Sequence, residues 1–292
     1  MSNHIYYPTH PTNTQVLALN KLTEHADAVL PIDNTRLMEV VSKFSSGSNG
    51  GEDLSSTSAS GFGLSAAKGL KKGNASSSKA TGFDEMNSLV ARLLTDLTSS
   101  MRFSGDLNTD LNEITTNLVP FPRMHYLSPS LAPLGNSTKG LGSIRGQGMT
   151  SSSGTIGNTS VVIRSLFKDC FREDCSLIGC GNMGRGLFKG DSTVLACGVF
   201  VRGVNIPISD VNANVSRLQS TLKMPSWNRE GFKIGLCQVP SLEQSVSMMC
   251  LTNTSGINGV FGPIREGFEK LWRRKVSNEG FVQAIQRSKR NK

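Results

Sequence analysis

Between Phe83 and Met101 the apolar residues Phe83, Met86, Leu89, Val90, Leu93, Leu94, Leu97 and Met101 recur at steps of three and four. That spacing sets them on one broad face of a helix, the strongest helical signal in the chain. At 1.5 Å per residue the helix runs about 28 Å, so groups at its two ends act far apart. The stretch that follows is as demanding. Gly105 supplies a glycine turn, Asp110-Leu111-Asn112-Glu113 opens a new helix with acid in its first turn, and Asn117 to Arg123 enters a strand past Pro120 and Pro122.

The remaining pattern alternates. Val16 to Phe44 suits two helical segments broken at Leu30-Pro31, the second capped by Asp33 or Asn34. Between Ser45 and Ala80, 18 of 36 residues are Ser or Gly, too few apolar groups to offset the entropy of ordering, so a disordered insertion is expected. Past Pro122 the sequence reads as a strand at Met124-His125-Tyr126-Leu127, a Gly/Ser-rich loop from Gly135 to Thr159, and a short helix near Val161 to Phe171. A strand Val194 to Arg202, a helix Ser209 to Leu222, strands Phe232 to Val239 and Val246 to Thr252, and a last helix Asn258 to Lys275 complete the pattern. Strands alternating with amphipathic helices describe an α/β layer sandwich.

With 37% hydrophobic residues in 292, the chain can build a real core. Its net charge of +9 is concentrated at one end, since Arg265 to Lys292 holds nine Lys and Arg. Phosphate binding is the first idea such charge raises, but no interleaved aromatic residues and no nucleic-acid fold signature accompany it. A solvated helix face and tail account for it, and neither nucleic acid nor a membrane is an expected partner. No apolar run reaches the roughly 18 residues of a spanning helix, and the polar start Met1-Ser2-Asn3-His4 lacks a signal-peptide core. A reducing compartment with free thiols is expected for the six cysteines. Cys170, Cys175 and Cys180 recur every five residues, which is not a zinc spacing. His4, His10, His25 and His125 are scattered and form no nucleophile set, and His125 suits a partly buried, satisfied side chain. Gly179 to Gly184 matches G-x-G-x-x-G, but Arg185-Gly186-Leu187 is a poor helix start, so a variable loop is the better reading.

Four stretches carry a resemblance. Leu22 to Asn34 (Leu-Thr-Glu-His-Ala-Asp-Ala-Val-Leu-Pro-Ile-Asp-Asn), Phe83-Asp84-Glu85-Met86-Asn87, the run from Arg102 through Pro122, and Ser226-Trp227-Asn228-Arg229-Glu230-Gly231-Phe232-Lys233 resemble, in the same order, segments of the tubulin family, its epsilon branch above all. The resemblance implies the C-terminal part of a tubulin-like GTPase domain, a central helix, an intermediate two-layer α/β sandwich and a C-terminal helix. On that template residues 1–44 are a remnant of the GTP-binding domain, 45–80 an insertion, 81–101 the central helix, 102–255 the sandwich, and 256–292 the last helix with a basic tail.

What the resemblance implies for chemistry falls into two groups. Asn34 and Asn87 are similar to the amides that read the guanine edge of GTP, and Phe83 stands where a ring stacks on the base; an amide offers both donor and acceptor, and a ring apolar contact. Asp110 and Glu113 resemble the loop that meets the neighbouring subunit's GTP, with its Mg2+, where one carboxylate can orient the attacking water. Any GTPase activity would then be completed only between subunits. The residues alone leave other readings open. Asn34 could cap its helix, Phe83 could start a core, and Asp110 with Glu113 is spaced as a capping box.

Three departures from the family pattern stand out. The phosphate-cradling Gly-Gly-Gly-Thr-Gly-Ser-Gly loop does not occur, His10-Pro11-Thr12-Asn13 replaces a segment with an acid near the ribose, and a basic tail replaces an acidic one. An N-terminally truncated chain is the expectation. The family further implies other tubulin subunits and centriolar or basal-body proteins as partners, in the cytoplasmic cytoskeleton, at the centrosome or basal body. A nucleotide-independent module that binds those partners is the alternative.

Overall fold

The computed structural model describes residues 11–46, 82–105, 107–134, 155–179, 192–241 and 244–274, with residue 282. The elements in order are α1 (Pro11–His25), α2 (Asn34–Ser46), α3 (Gly82–Leu97), α4 (Ser99–Arg102), α5 (Leu111–Leu118), β1 (Ser128–Ala132), α6 (Thr155–Cys170), β2 (Val194–Gly203), α7 (Ile208–Thr221), β3 (Phe232–Cys237), β4 (Val246–Thr254) and α8 (Asn258–Arg273). The four strands form one mixed sheet in the order β1-β4-β2-β3, with β2 and β3 parallel and the other pairs antiparallel.

Strand periodicity divides the core in two. Along β4, Met248 and Cys250 face one side while Met249 and Leu251 face the other, as a period of two requires. The first side is covered by α6 and α7 through Ile163, Leu166, Phe167, Val211 and Val215. The second carries α2, α3 and α5 through Leu37, Val40, Met86, Leu89, Leu93, Ile114 and Leu118. The sandwich of sheet with α6 and α7 is thus closed on its other face by the central helix. Both sheet edges are capped by single backbone bridges, Leu107 to Leu236 on β3 and Ser130 to Ser176 on β1, which limits strand addition by another chain.

The central helix differs from its expected form in two ways. It breaks at Thr98, whose hydroxyl donates to the Leu94 carbonyl at 2.8 Å, and resumes as the short α4. Its buried stripe is Met86, Leu89, Leu93 and Leu97, while Phe83, Leu94 and Met101 are exposed. The helix is held by charge as well as by apolar contact. Asp96, on its last turn, is buried and accepts from Arg202 Nη1 of β2 at 2.7 Å, with Arg92 Nε 3.9 Å away. Arg202 also donates from Nε to the Val239 carbonyl and from Nη2 to the Pro240 carbonyl, so each nitrogen of the buried guanidinium has an acceptor.

Elsewhere the strand expected at Met124 to Leu127 begins later, at Ser128. Tyr126 makes only an isolated parallel bridge to Val29, because its ring turns away to meet Phe261 of α8 edge-on and its hydroxyl lies 3.2 Å from the Thr23 hydroxyl of α1. His125 is fully buried; its Nδ1 donates to the Pro122 carbonyl at 2.6 Å and its Nε2 has no hydrogen-bond partner, so it is only half satisfied. Helix α6 starts at Thr155, inside the span read as loop. Residues 47–80 of the Ser/Gly-rich stretch, residues 135–154 of the next loop, residues 180–184 of the G-x-G-x-x-G run and the basic tail beyond 274, save position 282, lie outside the described residues.

Candidate functional site

The loop after α4 is laid onto the sheet before it reaches its carboxylates. Leu236 N–H donates to the Leu107 carbonyl at 3.2 Å, and Thr109 is buried beneath the loop. The close approach depends on Gly235. A Cβ there would sit 2.7 Å from the Phe200 ring and 3.2 Å from Thr109 Oγ1, so a larger residue would have to displace the ring and crowd the loop.

Asp110 then caps α5. Its backbone is extended, with φ −95° and ψ 172°, and its Oδ1 accepts from the Glu113 N–H at 2.7 Å. That bond satisfies one of the orphan donors of the helix start, and the acid lies where the helix dipole favours it. The Glu113 carboxylate takes a different course from that of a capping box. Its Oε2 lies 2.8 Å from Lys233 Nζ on β3. Lys233 was not foreseen as a site residue. Its neighbours Phe232 and Ile234 pack with the α6/α7 core, so alternation turns Lys233 to the face that carries α5. The pair is open to solvent on one side, with Glu113 48% and Lys233 25% exposed. An ion pair in that setting contributes about 0–1 kcal/mol, so it orders the carboxylate without locking it.

Beside this pair lies a concavity with a mixed, largely polar lining. Thr116 and Asn117, three and four residues beyond Glu113 on α5, line a cavity of about 280 Å³ with Pro120, Trp227, Asn228 and Glu230. Trp227 is 58% exposed and meets the half-exposed Phe121 edge to face, 5.6 Å between centroids. Leu111 and Met124 are exposed as well. The exposed Phe121–Trp227 pair is a surface that contact with another chain would cover.

The other group of candidate residues sits on α2 and α3, which pack together through Leu37, Val40, Met86 and Leu89. Asp33, not Asn34, caps α2. Its Oδ1 accepts from the Thr35 N–H at 3.0 Å, and its carbonyl accepts from Leu37 N–H. Asn34 therefore begins the helix with its amide exposed and unused for capping. Phe83 is 63% exposed, so it is not the first core residue of α3, and Asn87, one turn on, is exposed too. No hydrogen bond or ring contact joins Asn34, Phe83 and Asn87 to one another. Two free amides and an open ring are the chemistry a purine base needs: donors and acceptors for its edge and an apolar surface for its face.

Thiols and histidines supply no competing site among the described residues. Cys170, Cys175, Cys197, Cys237 and Cys250 are free and buried. Burial pushes the Cys175 thiol up to about 12, and burial with hydrogen bonding to Cys170 and Cys197 raises Cys250 well above the ordinary value. Thiols held neutral are poor nucleophiles and poor ligands. No cluster of three or more His, Cys, Asp or Glu side chains suited to a metal ion occurs among the described residues, and no helix among them is long and apolar enough to cross a membrane.

The family model described as the tubulin C-terminal domain matches residues 122–266, which span β1 to the first half of α8. The chain is 37% identical over 278 residues to the tubulin epsilon chain of Homo sapiens, covering 94% of this chain and 52% of that one. It is 38% identical over 278 residues to the tubulin epsilon chain of Mus musculus, with the same coverage. Against the tubulin alpha-1B chain of Schizophyllum commune it is 30% identical over 211 residues, 69% of this chain and 42% of that one. The chain spans about half the length of the curated relatives it matches.

Proposed function

We propose, from the premise that this chain belongs to the tubulin family with an epsilon-like sequence, that it is a GTP-linked protein of the microtubule cytoskeleton. In this reading it supports microtubule assembly at centrioles or basal bodies, with other tubulin subunits as neighbours. Its two groups of candidate residues serve two different nucleotides. Asn34 and Asn87 read a guanine edge, with Phe83 against the base. Asp110 and Glu113 face the GTP of the adjoining subunit, whose hydrolysis supplies the chemistry.

The observation that carries this reading is the Glu113 carboxylate, fixed on a capped helix start, half exposed, beside a face with exposed Phe121 and Trp227. Asn87 lies in the second turn of α3, whereas the Glu113 loop leaves from the far end of that helix through α4. From Asn87 to the end of α3 is about 15 Å of helix, with α4 beyond it before the Glu113 loop begins, a separation that favours two nucleotides over one. Acting on a neighbour, Asp110 holds the helix start in place and Glu113 accepts a hydrogen bond from the attacking water and takes its proton. Positioning and a single carboxylate suffice for such in-line attack.

The test is single-turnover hydrolysis in a complex of this chain with GTP-loaded αβ-tubulin. Glu113→Gln is expected to slow turnover about a hundredfold or more while the complex still forms. Unchanged turnover with intact binding would favour the second reading, a nucleotide-independent module. The exposed Trp227 and Phe121 beside the cavity support that alternative, since such a face can bind another tubulin or a centriolar protein without any nucleotide.

A further inference from the structure

We infer that Lys233 is a second group this chain presents to the neighbour's nucleotide, as a sensor of the terminal phosphate; the inference rests on the reading of Glu113 given above. Lys233 lies on edge strand β3, its Nζ 2.8 Å from Glu113 Oε2, with the pair open to solvent. The parallel pairing of β3 with β2 and the bridge to Leu107 fix the backbone beneath it. Asp110, the other acid of the loop, spends its Oδ1 on the Glu113 N–H. Lys233 therefore pairs with the loop carboxylate that is not spent on the helix cap, and it does so from a flexible stem with three rotatable donors.

Any phosphate brought close enough for water held by Glu113 to attack also comes within reach of that ammonium. A terminal phosphate carries more charge than a carboxylate and offers three oxygens, so Lys233 exchanges part of its bond to Glu113 for one to phosphate. That exchange frees a Glu113 lone pair for the water. In the step so assisted, the water oxygen bonds to the terminal phosphorus as the bond to the bridging oxygen breaks. The proton passes to Glu113 and from there to the departing phosphate, and Lys233 offsets the charge on the phosphate oxygens. With a diphosphate in the neighbour, Lys233 returns to Glu113. The pair thus discriminates the neighbour's nucleotide state whether or not hydrolysis occurs.

The experiment measures affinity, not turnover. The chain is titrated against αβ-tubulin loaded either with GDP or with the slowly hydrolysed α,β-methylene analogue of GTP, and the ratio of the two dissociation constants is read. The wild-type ratio is expected to favour the triphosphate about tenfold, the effect of one charge-assisted hydrogen bond. Lys233→Met should bring the ratio to about one, Lys233→Arg should keep most of it, and Glu113→Gln should keep it in full. Each ratio is taken within one variant, so a change in folded fraction cancels. In a Glu113→Gln background Lys233 has no carboxylate to position, and Lys233→Met must still abolish the preference. A Lys233→Met ratio equal to wild type, a wild-type ratio near one, or a Lys233 effect that vanishes in the Glu113→Gln background each overturns the inference. If Glu113→Gln leaves turnover unchanged while the Lys233 ratios come out as stated, the reading of Glu113 as the water-orienting group fails and the phosphate contact stands.

Discussion

The two groups of candidate residues at the ends of α3 are prepared to different degrees. At the C-terminal end Glu113 sits on a capped helix, its carboxylate is paired with Lys233, and the loop that carries it is bridged to β3 over Gly235. At the other end Asn34, Phe83 and Asn87 are exposed side chains that no hydrogen bond or ring contact ties to one another. The difference teaches where organisation comes from. On the proposed reading, a carboxylate that meets a neighbour is arranged before contact, and the sheet edge supplies that arrangement. On the same proposal, amides and a ring that read a base would be arranged by the base itself.

The sharpest way to break the comparison is to unpin the C-terminal end of α3. Arg202→Met leaves Asp96 buried without its 2.7 Å partner, and a stability loss of about 3–5 kcal/mol is expected by urea denaturation. Next in size is Gly235→Ala, which drives a Cβ into the Phe200 ring. It should cost about 1–3 kcal/mol and speed amide exchange at Glu113, with Asn87 unaffected.

Alkaline pH probes the α2 side of the core, where Cys175 packs with Leu37 and Val40. Its folded value, about 12, stands above the ordinary 9. The neutral thiol's stabilisation is therefore intact below pH 9 and is lost as pH rises toward 12. Stability should fall across that window by about 1 kcal/mol per pH unit, and Cys175→Ala should flatten the slope. The smallest effects give the cleanest contrast. Asp110→Ala removes a cap and should cost about 1 kcal/mol, whereas Asn34→Ala and Asn87→Ala should stay within about 0.5 kcal/mol because neither amide serves the fold.

How much of this was legible depended on whether the signal was local. The boundaries of β2, α7 and α8 fall within a residue or two of their sequence reading, and β3 and β4 keep the starts read for them, because Met248 to Leu251 alternate strictly and α7 keeps its own apolar stripe. Asp110 as a cap was equally readable, since its partner is three residues away. Lys233 was not, because it and Glu113 meet only when the edge strand has been placed beside α5. Leu94 and Phe83 looked like core positions by spacing alone. Which edge of a broad apolar face stays dry is decided by the width of the sheet beneath it, and that width is not written in the helix. The Met124 to Leu127 segment read as a strand for a similar reason. Its apolar run is real, but Leu127 and Tyr126 are claimed by Val29 and by α1 and α8 instead of by a ladder.

The central claim is that the two ends of α3 face two different nucleotides, and a proximity label tests it most directly. A GTP derivative with a thiol-reactive group on its γ-phosphate is loaded onto αβ-tubulin, which is then mixed with Glu113→Cys or Asn87→Cys forms of this chain. The expected result is an adduct at position 113, located by peptide mass spectrometry, and none at position 87. Labelling at position 87 with none at 113, or no adduct in a complex that has formed, would contradict the account.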